Sequence, residues 1–187
     1  MIIALSGYAQ SGKDSVSEIL IKKYGYKRVS FADKIKEILL EINPIILGYE
    51  DLIWDLATYV NNFGWENSKK VPHVRQLLQN LGVSVREVLG EDTWIDAALD
   101  GVLPNDKIVI TDVRFPNEAD AIKWIFGEIW RVERPKISPV NKHASETALD
   151  DWIFDRTITN NGTLEDLEEL VDVIMEPLTK EAKNDTI

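Results

Sequence analysis

The run Ile2-Ile3-Ala4-Leu5-Ser6 leads directly into Gly7-Tyr8-Ala9-Gln10-Ser11-Gly12-Lys13-Asp14, and this junction constrains the chain more than any other stretch. The apolar run reads as a short buried strand, and Ser15 to Lys23 carries Val16, Ile19 and Leu20 at helical spacing. Strand, glycine-rich turn and helix in that order let successive backbone N–H groups point inward at an anion, with the positive helix end behind them. The pattern is that of a phosphate-binding loop, G-x-x-x-x-G-K-[ST], with one departure: Asp14 stands where a hydroxyl is expected. Lys13 would reach the outer phosphates as a mobile point charge. The alternative is a tight β-α turn whose glycines serve geometry alone. Gly, Gly and Lys in register after a strand favour the phosphate loop.

At 187 residues the chain can bury one sizeable core, so a single domain with an excursion is expected. Hydrophobic residues make up 44% and charged residues 28%, which describes an ordinary soluble globular protein. No run approaches the length of a membrane span, and the opening strand leaves no room for a signal or transit segment. The sequence has no cysteine, which excludes disulfides and cysteine-ligated metal sites and fits a reducing compartment. His73 and His143 are the only imidazoles, which disfavours a histidine-rich metal centre. The net charge of −11 argues against broad binding to nucleic acid or anionic membranes. A local basic pocket can still take a small anionic substrate at short range.

Beyond the first helix, Tyr26 to Ala32 reads as a second strand, with Asp33 as N-cap of a helix over Lys34 to Ile42 that ends before Pro44. From there to about Gly101 the chain reads as mostly helical, with Tyr49 to Lys70 ambiguous. A turn is expected at Asn61 to Gly64 and a polar loop at Asn67 to Lys70. Helices are expected over Pro72 to Leu81, ending at Gly82, over Ser84 to Leu89, ending at Gly90, and over Asp92 to Leu99. Strands follow at Lys107 to Asp112, Glu128 to Glu133 and Arg156 to Asn160, with a helix from Pro116 to about Phe126. Thr163 with Asp166 forms a capping box before a strongly amphipathic helix, and Lys180 to Ile187 reads as frayed. Strands alternating with helices imply a parallel sheet covered on both faces.

Asp112, at the carboxyl end of a buried strand, stands where such sheets place their ligands, and beside a phosphate loop that position suits Mg²⁺ and its waters. Its other reading is a cap for the next element. Asp14 or Ser15 would supply a second metal contact, and only one of the two can point inward. Phosphoryl transfer between two anions needs cations that gather both and neutralise charge in the transition state. Lys34 and Lys36, Arg75 and Arg86, Arg114, Arg131 and Arg134 are the candidates by position, Arg75 and Arg114 foremost. Each also has a reading as a solvated surface charge. Trp65 and Trp94 would stack on a base or fill a core, and the core is the commoner use.

Taken together, these segments resemble the deoxynucleoside monophosphate kinases of bacteriophages. The resemblance rests on Gly12-Lys13-Asp14-Ser15, Ser30-Phe31-Ala32-Asp33 with Lys36, the run Arg75 to Gly82, and Glu91-Asp92-Thr93-Trp94. It continues through Ile110 to Glu118, His143 to Thr147 and Asn160 to Leu164, spanning nearly the whole chain in order. Asp14 is typical of that group. The resemblance implies a P-loop kinase-like three-layer α/β/α fold with a five-stranded, mainly parallel sheet in a single domain over 1–187. A helical nucleotide-binding excursion would span about 43–104 and a lid about 131–150.

It further implies transfer from ATP to a deoxynucleoside monophosphate with Mg²⁺, in line and without a covalent intermediate. ATP would lie on Gly7, Gln10, Ser11, Gly12, Lys13, Asp14 and Ser15, with metal contacts from Asp14, Ser15 and Asp112. The acceptor would lie on Asp33, Lys34, Lys36, Arg75, Arg86, Trp94, Arg114 and Glu146. Lys13, Arg75, Arg114 and Arg131 would act on the transferring group. A cytoplasmic location follows, the host cytoplasm for a phage-encoded chain. A homodimer is compatible with such a kinase, though no sequence feature demonstrates one. The readings left beside it are a P-loop kinase of another small acceptor, of the dephospho-coenzyme A or phosphomevalonate type, and a non-catalytic nucleotide-binding protein.

Overall fold

A computed structural model describes residues 1–138 and 147–184. Its contacts divide the chain into two compact units, one built from Met1–Val29 with Gly101–Ile187 and the other from Ser30–Asp100.

The first unit holds a five-stranded sheet. β1 (Ile2–Ser6), β2 (Lys27–Val29), β5 (Ile108–Ile110), β6 (Glu128–Glu133) and β7 (Arg156–Thr159) lie in the order β2-β5-β1-β6-β7. Every pairing in it is parallel. The expectation of a mainly parallel sheet is therefore met. The fold is α/β, with helices packed on the sheet. All five residues of β1 are buried, as a central parallel strand requires. Ile3 and Leu5 join Val16, Leu20, Trp130, Val132, Leu167 and Val171 in one core, which packs α1 (Lys13–Tyr24) and α7 (Leu164–Asn184) onto one face. Ile2, next along the strand, approaches Gly127 and Ile122 of α6 (Pro116–Trp124) on the other face. Each fully buried Ile, Leu or Val contributes roughly 1.5–3 kcal/mol.

Local signals set the helix ends. α1 stops at Gly25, whose φ of 73° makes the left-handed cap that a Cβ would resist. Lys23 at its last turn pairs with Asp172 (2.6 Å) and Glu168 (2.8 Å) of α7, and the Tyr24 hydroxyl donates to Asp172 at 2.6 Å. The capping box before α7 forms as expected: Thr163 N donates to Asp166 Oδ2 at 2.8 Å, and Asp166 N donates to Thr163 Oγ1 at 3.2 Å. α7 then continues to Asn184, beyond the Lys180 where fraying was expected.

The second unit carries the larger departures from expectation. Its first helix, α2 (Phe31–Ile42), starts three residues earlier than predicted, with Ser30 as N-cap in extended conformation. Phe31 is buried, so it serves the helix core instead of prolonging β2, and Asp33 falls in the first turn, where the helix dipole favours it. A short antiparallel hairpin, β3 (Ile45–Leu47) with β4 (Ile53–Asp55), occupies the stretch read as helical or ambiguous. Three-residue strands carry too little alternation to be recognised. α3 (Leu56–Ser68) runs through the expected turn at Asn61 to Gly64, which survives as a kink where Gly64 has φ 72°.

α4 (Pro72–Leu89) is one helix across Gly82, not two. A Cβ at Gly82 would come 3.2 Å from Ile35 Cδ1, so this glycine permits close helix packing and does not cap a helix. α5 (Thr93–Leu99) follows as predicted within a residue. Leu39, Ile46, Leu56, Tyr59, Val60 and Val74 form this unit's own core. No described helix is long and apolar enough to cross a membrane.

Candidate active site

β1 lies between β5 and β6. The chain leaves β1 towards β2 on one side, while β6 leads to β7 on the other. Connections that diverge in this way open a crevice at the carboxyl ends of the strands. The register of β1 on β6 sets Ser6 beside Arg131, so the glycine-rich loop and the segment after β6 flank that crevice.

The loop's backbone is unusual where it must be. Gly7 (φ 140°), Gln10 (φ 64°) and Gly12 (φ 111°) all take positive φ. A side chain at Gly7 would run into the Val132 carbonyl, and one at Gly12 into the Asn160 amide. Both glycines are therefore required by close approach as well as by conformation. Lys13 Nζ donates to Gly7 O at 2.7 Å and Tyr8 O at 2.8 Å, folding its ammonium over the loop's own carbonyls. Ser11 is 1% exposed, and its hydroxyl has no hydrogen-bond partner among the described residues. Leaving such a group unsatisfied costs about 1–3 kcal/mol, which an anionic acceptor in the loop would recover.

Lys13, Asp112, Arg114 and Arg131 line one cavity together with Gly7 and Ala9. Four charged side chains from three separate stretches of the chain thus converge at the ends of β1, β5 and β6. The turn carrying Asp112 and Arg114 is held by the buried Glu118, which accepts from Arg114 N (2.7 Å) and Phe115 N (3.1 Å). Arg131 is 8% exposed at its side chain, and its Nη2 donates to Asp150 Oδ1 at 3.0 Å. Its guanidinium lies over the rings of Tyr8 (4.7 Å) and Phe154 (5.4 Å), which desolvate it while favouring its charge. The other Asp150 oxygen accepts from the Tyr8 hydroxyl at 2.9 Å. Burial and that bond push the Tyr8 phenol above its ordinary pKa, with Arg131 pulling the other way. A second cavity of about 320 Å³ adjoins the loop, lined by Tyr8, Ser11, Arg131, Arg134, Ile137 and Thr159 among others.

The other predicted residues fall elsewhere. Gln10 is exposed at the loop tip. Asp14 and Ser15 line a separate groove between α1 and α7, with Glu18, Lys22, Lys23 and Glu168. Among the described residues no cluster of three or more metal-ligating side chains occurs. One carboxylate on the Lys13 cavity suits an ion such as Mg²⁺, which keeps several waters and takes most of its remaining ligands from substrate phosphates.

Within the second unit, Lys36 pairs with Asp33, and Lys34 with Glu37 at 2.9 Å. Arg75 is exposed, its Nε donating to Lys69 O at 3.3 Å, and Arg86 is half-buried in the last turn of α4. Trp94 is 5% exposed and spends its indole N–H on Gly82 O at 2.9 Å, which makes it part of this unit's packing. Trp65 packs at the edge of the same unit's core. Glu146, with His143 and Ser145, lies outside the described residues, as does the middle of the stretch expected to form a lid, 139–146.

Three residues at this site carry no prediction from sequence: Tyr8, Asp150 and Asn160. Tyr8 lies inside the loop motif and Asn160 opens the Asn160 to Leu164 block of the resemblance, but neither has a role of its own there.

A family model described as deoxynucleotide monophosphate kinase matches residues 50–171. The chain belongs to this family. It is therefore a phosphotransferase of a kinase family that uses ATP and nucleotide substrates, and the resemblance read from the sequence holds at family level. A protein of Acanthamoeba polyphaga mimivirus, described as "Putative deoxynucleotide monophosphate kinase", is 27% identical over 89% of this chain and 91% of its own length. An uncharacterized protein, ORF77, of Ictalurid herpesvirus 1 (strain Auburn) is 26% identical over 92% of this chain and 69% of its own. Among solved structures, a dephospho-CoA kinase from Campylobacter jejuni aligns with a TM-score of 0.47 at 19% identity, covering 97% of this chain and 98% of its own. A shikimate kinase from Aquifex aeolicus gives 0.46 at 12% identity, covering 96% and 98%.

Proposed function

We propose that the protein transfers the γ-phosphoryl group of ATP to a deoxynucleoside monophosphate, giving ADP and the deoxynucleoside diphosphate, in an Mg²⁺-dependent in-line displacement. One observation carries this reading: in a chain of the deoxynucleotide monophosphate kinase family, Lys13, Asp112, Arg114 and Arg131 line a single cavity beside the phosphate loop. The loop from Gly7 to Gly12 binds the donor phosphates through its backbone, and Ser11 offers a buried hydroxyl to them. Lys13 leaves its internal carbonyls for the outer phosphates. Asp112 would hold Mg²⁺, which when bound would neutralise phosphate charge, and it is better sited for this than Asp14 or Ser15. Arg114 and Arg131 stabilise the charge that spreads over the transferring group.

The acceptor phosphate is already largely ionised near neutral pH, so no strong general base is required, and positioning with electrostatics dominates. Lys34, Lys36, Arg75 and Arg86 are the candidates for the acceptor. The family match favours a deoxynucleoside monophosphate over the dephospho-coenzyme A or phosphomevalonate type of acceptor, and a catalyst over a sensor. The test is a coupled ADP-release assay across all deoxy- and ribonucleoside monophosphates with ATP and Mg²⁺. Stimulation by at least one deoxynucleoside monophosphate is expected. Release that never rises above the rate with ATP alone would falsify the kinase reading.

A further inference from the structure

We propose that Asn160, at the carboxyl end of β7, is a positioning residue for the donor loop, holding the Ser11–Gly12 peptide in the orientation that receives ATP phosphate. The proposal rests on the reading that Gly7 to Ser15 binds ATP. Asn160 Nδ2 donates to Ser11 O at 2.9 Å, and Asn160 is 8% exposed, so water does not compete for the bond. Its own backbone N–H donates to Glu133 O at 2.7 Å, which continues the β6–β7 ladder beyond Glu133 and Thr159. The amide therefore stands on the sheet and not on a loose turn. Gly12 completes the fit from the other side. A Cβ there would collide with Asn160 Nδ2, so the glycine admits the amide to the loop's backbone.

The consequence follows from peptide geometry. The chain has no cis peptide bond among its described residues, and a trans peptide sets its N–H opposite its C=O. With the Ser11 carbonyl committed to Asn160, the Gly12 N–H faces away from β7. A flipped peptide would instead turn a carbonyl oxygen towards the anion. The same anchor fixes Ser11, whose buried hydroxyl has no partner among the described residues and which lines the cavity with Tyr8 and Arg131. Asn160 thus acts on the donor through Ser11 and Gly12 without touching it. It carries no charge, so its contribution is insensitive to pH.

The test compares Asn160→Asp, which keeps the shape but turns the donor into a carboxylate facing Ser11 O, with Asn160→Ser, which is too short to reach. Expected is a rise in KM and Kd for ATP of about tenfold or more, an unchanged KM for the deoxynucleoside monophosphate, and a melting curve that is lowered but still cooperative. A folded variant with unchanged ATP affinity overturns the proposal, as does an equal rise in both KM values, which marks general disruption. Should both variants fail to fold, the wild-type protein decides by ¹⁵N NMR. The Gly12 amide is expected to shift on adding ATP and not on adding the monophosphate; no shift with ATP overturns the proposal. Lys13→Ala separates the two levels. If it weakens ATP binding while Asn160→Asp does not, the positioning role alone fails. If neither does, the donor reading fails with it.

Discussion

The two units present charge in different ways. At the carboxyl end of the five-stranded sheet, three elements have fixed partners: Arg131 has Asp150 and two rings, the Arg114 turn has the buried Glu118, and the loop has the buried Asn160. In the Ser30–Asp100 unit, Arg75 stands exposed on a helix and Lys34 pairs with a neighbouring Glu37. A preorganised cluster pays its reorganisation in folding, so it stabilises a transition state without rearranging during the reaction. Long exposed side chains lose rotamer freedom when they engage a ligand, so they contribute mainly to binding. This contrast supports the proposed division, with chemistry on the donor in the first unit and capture of an acceptor in the second.

The strongest way to break this contrast is Lys13→Ala. It should lower kcat/KM by about 10²–10³-fold with an unchanged melting curve, and near-normal turnover would remove Lys13 from the site. Next comes Arg131→Lys, which keeps the charge but loses the planar fork towards Asp150 and the transferring group. Turnover should fall by about tenfold, with a smaller change in either KM; an unchanged kcat would leave Arg131 a structural ion pair only. On the other side of the comparison, Arg75→Ala should raise KM for the monophosphate by about tenfold and leave kcat nearly intact. An unchanged KM would take Arg75 out of the acceptor site.

Smaller effects sharpen the division between binding and packing. Trp94→Phe deletes the bond to Gly82 O and should cost about 1 kcal/mol in a denaturant titration, with the monophosphate KM unchanged. A raised KM would return Trp94 to the acceptor site. Asp166 gives the smallest effect. The Thr163 N–H and hydroxyl hold its carboxyl below the ordinary carboxylate value, so its contribution is fully present above that value and is lost as pH falls through the lower folded one. Thermal melts should show Asp166→Asn closing its gap to the wild type only as pH drops below about 4. A gap independent of pH would deny the cap its charge.

Much of the donor side was legible because its signals are local. The strand before Gly7, the strand Glu128–Glu133 and the Thr163 cap each lie within a few consecutive residues. What escaped was held by distance or by packing. Tyr8 meets Asp150 across 142 positions and Asn160 meets Ser11 across 149, so no window of sequence contains either pair. Gly82 carried the mark of a helix end, yet its role is set by Ile35 on another helix. The hairpin at Ile45–Asp55 was hidden by strands too short to alternate, with Ile46 alone fully buried in them. Residues such as Arg75 were identifiable as cations, but a spacing pattern cannot tell a solvated charge from a waiting ligand.

The central claim is that the Lys13 cavity passes a phosphoryl group between two bound anions. A single-turnover reaction with γ-labelled ATP and Mg²⁺, run with and without a deoxynucleoside monophosphate, tests it most directly. The account predicts label in the deoxynucleoside diphosphate whenever the monophosphate is present, and almost none in inorganic phosphate. Label recovered only as inorganic phosphate, at the same rate with or without the monophosphate, would contradict it.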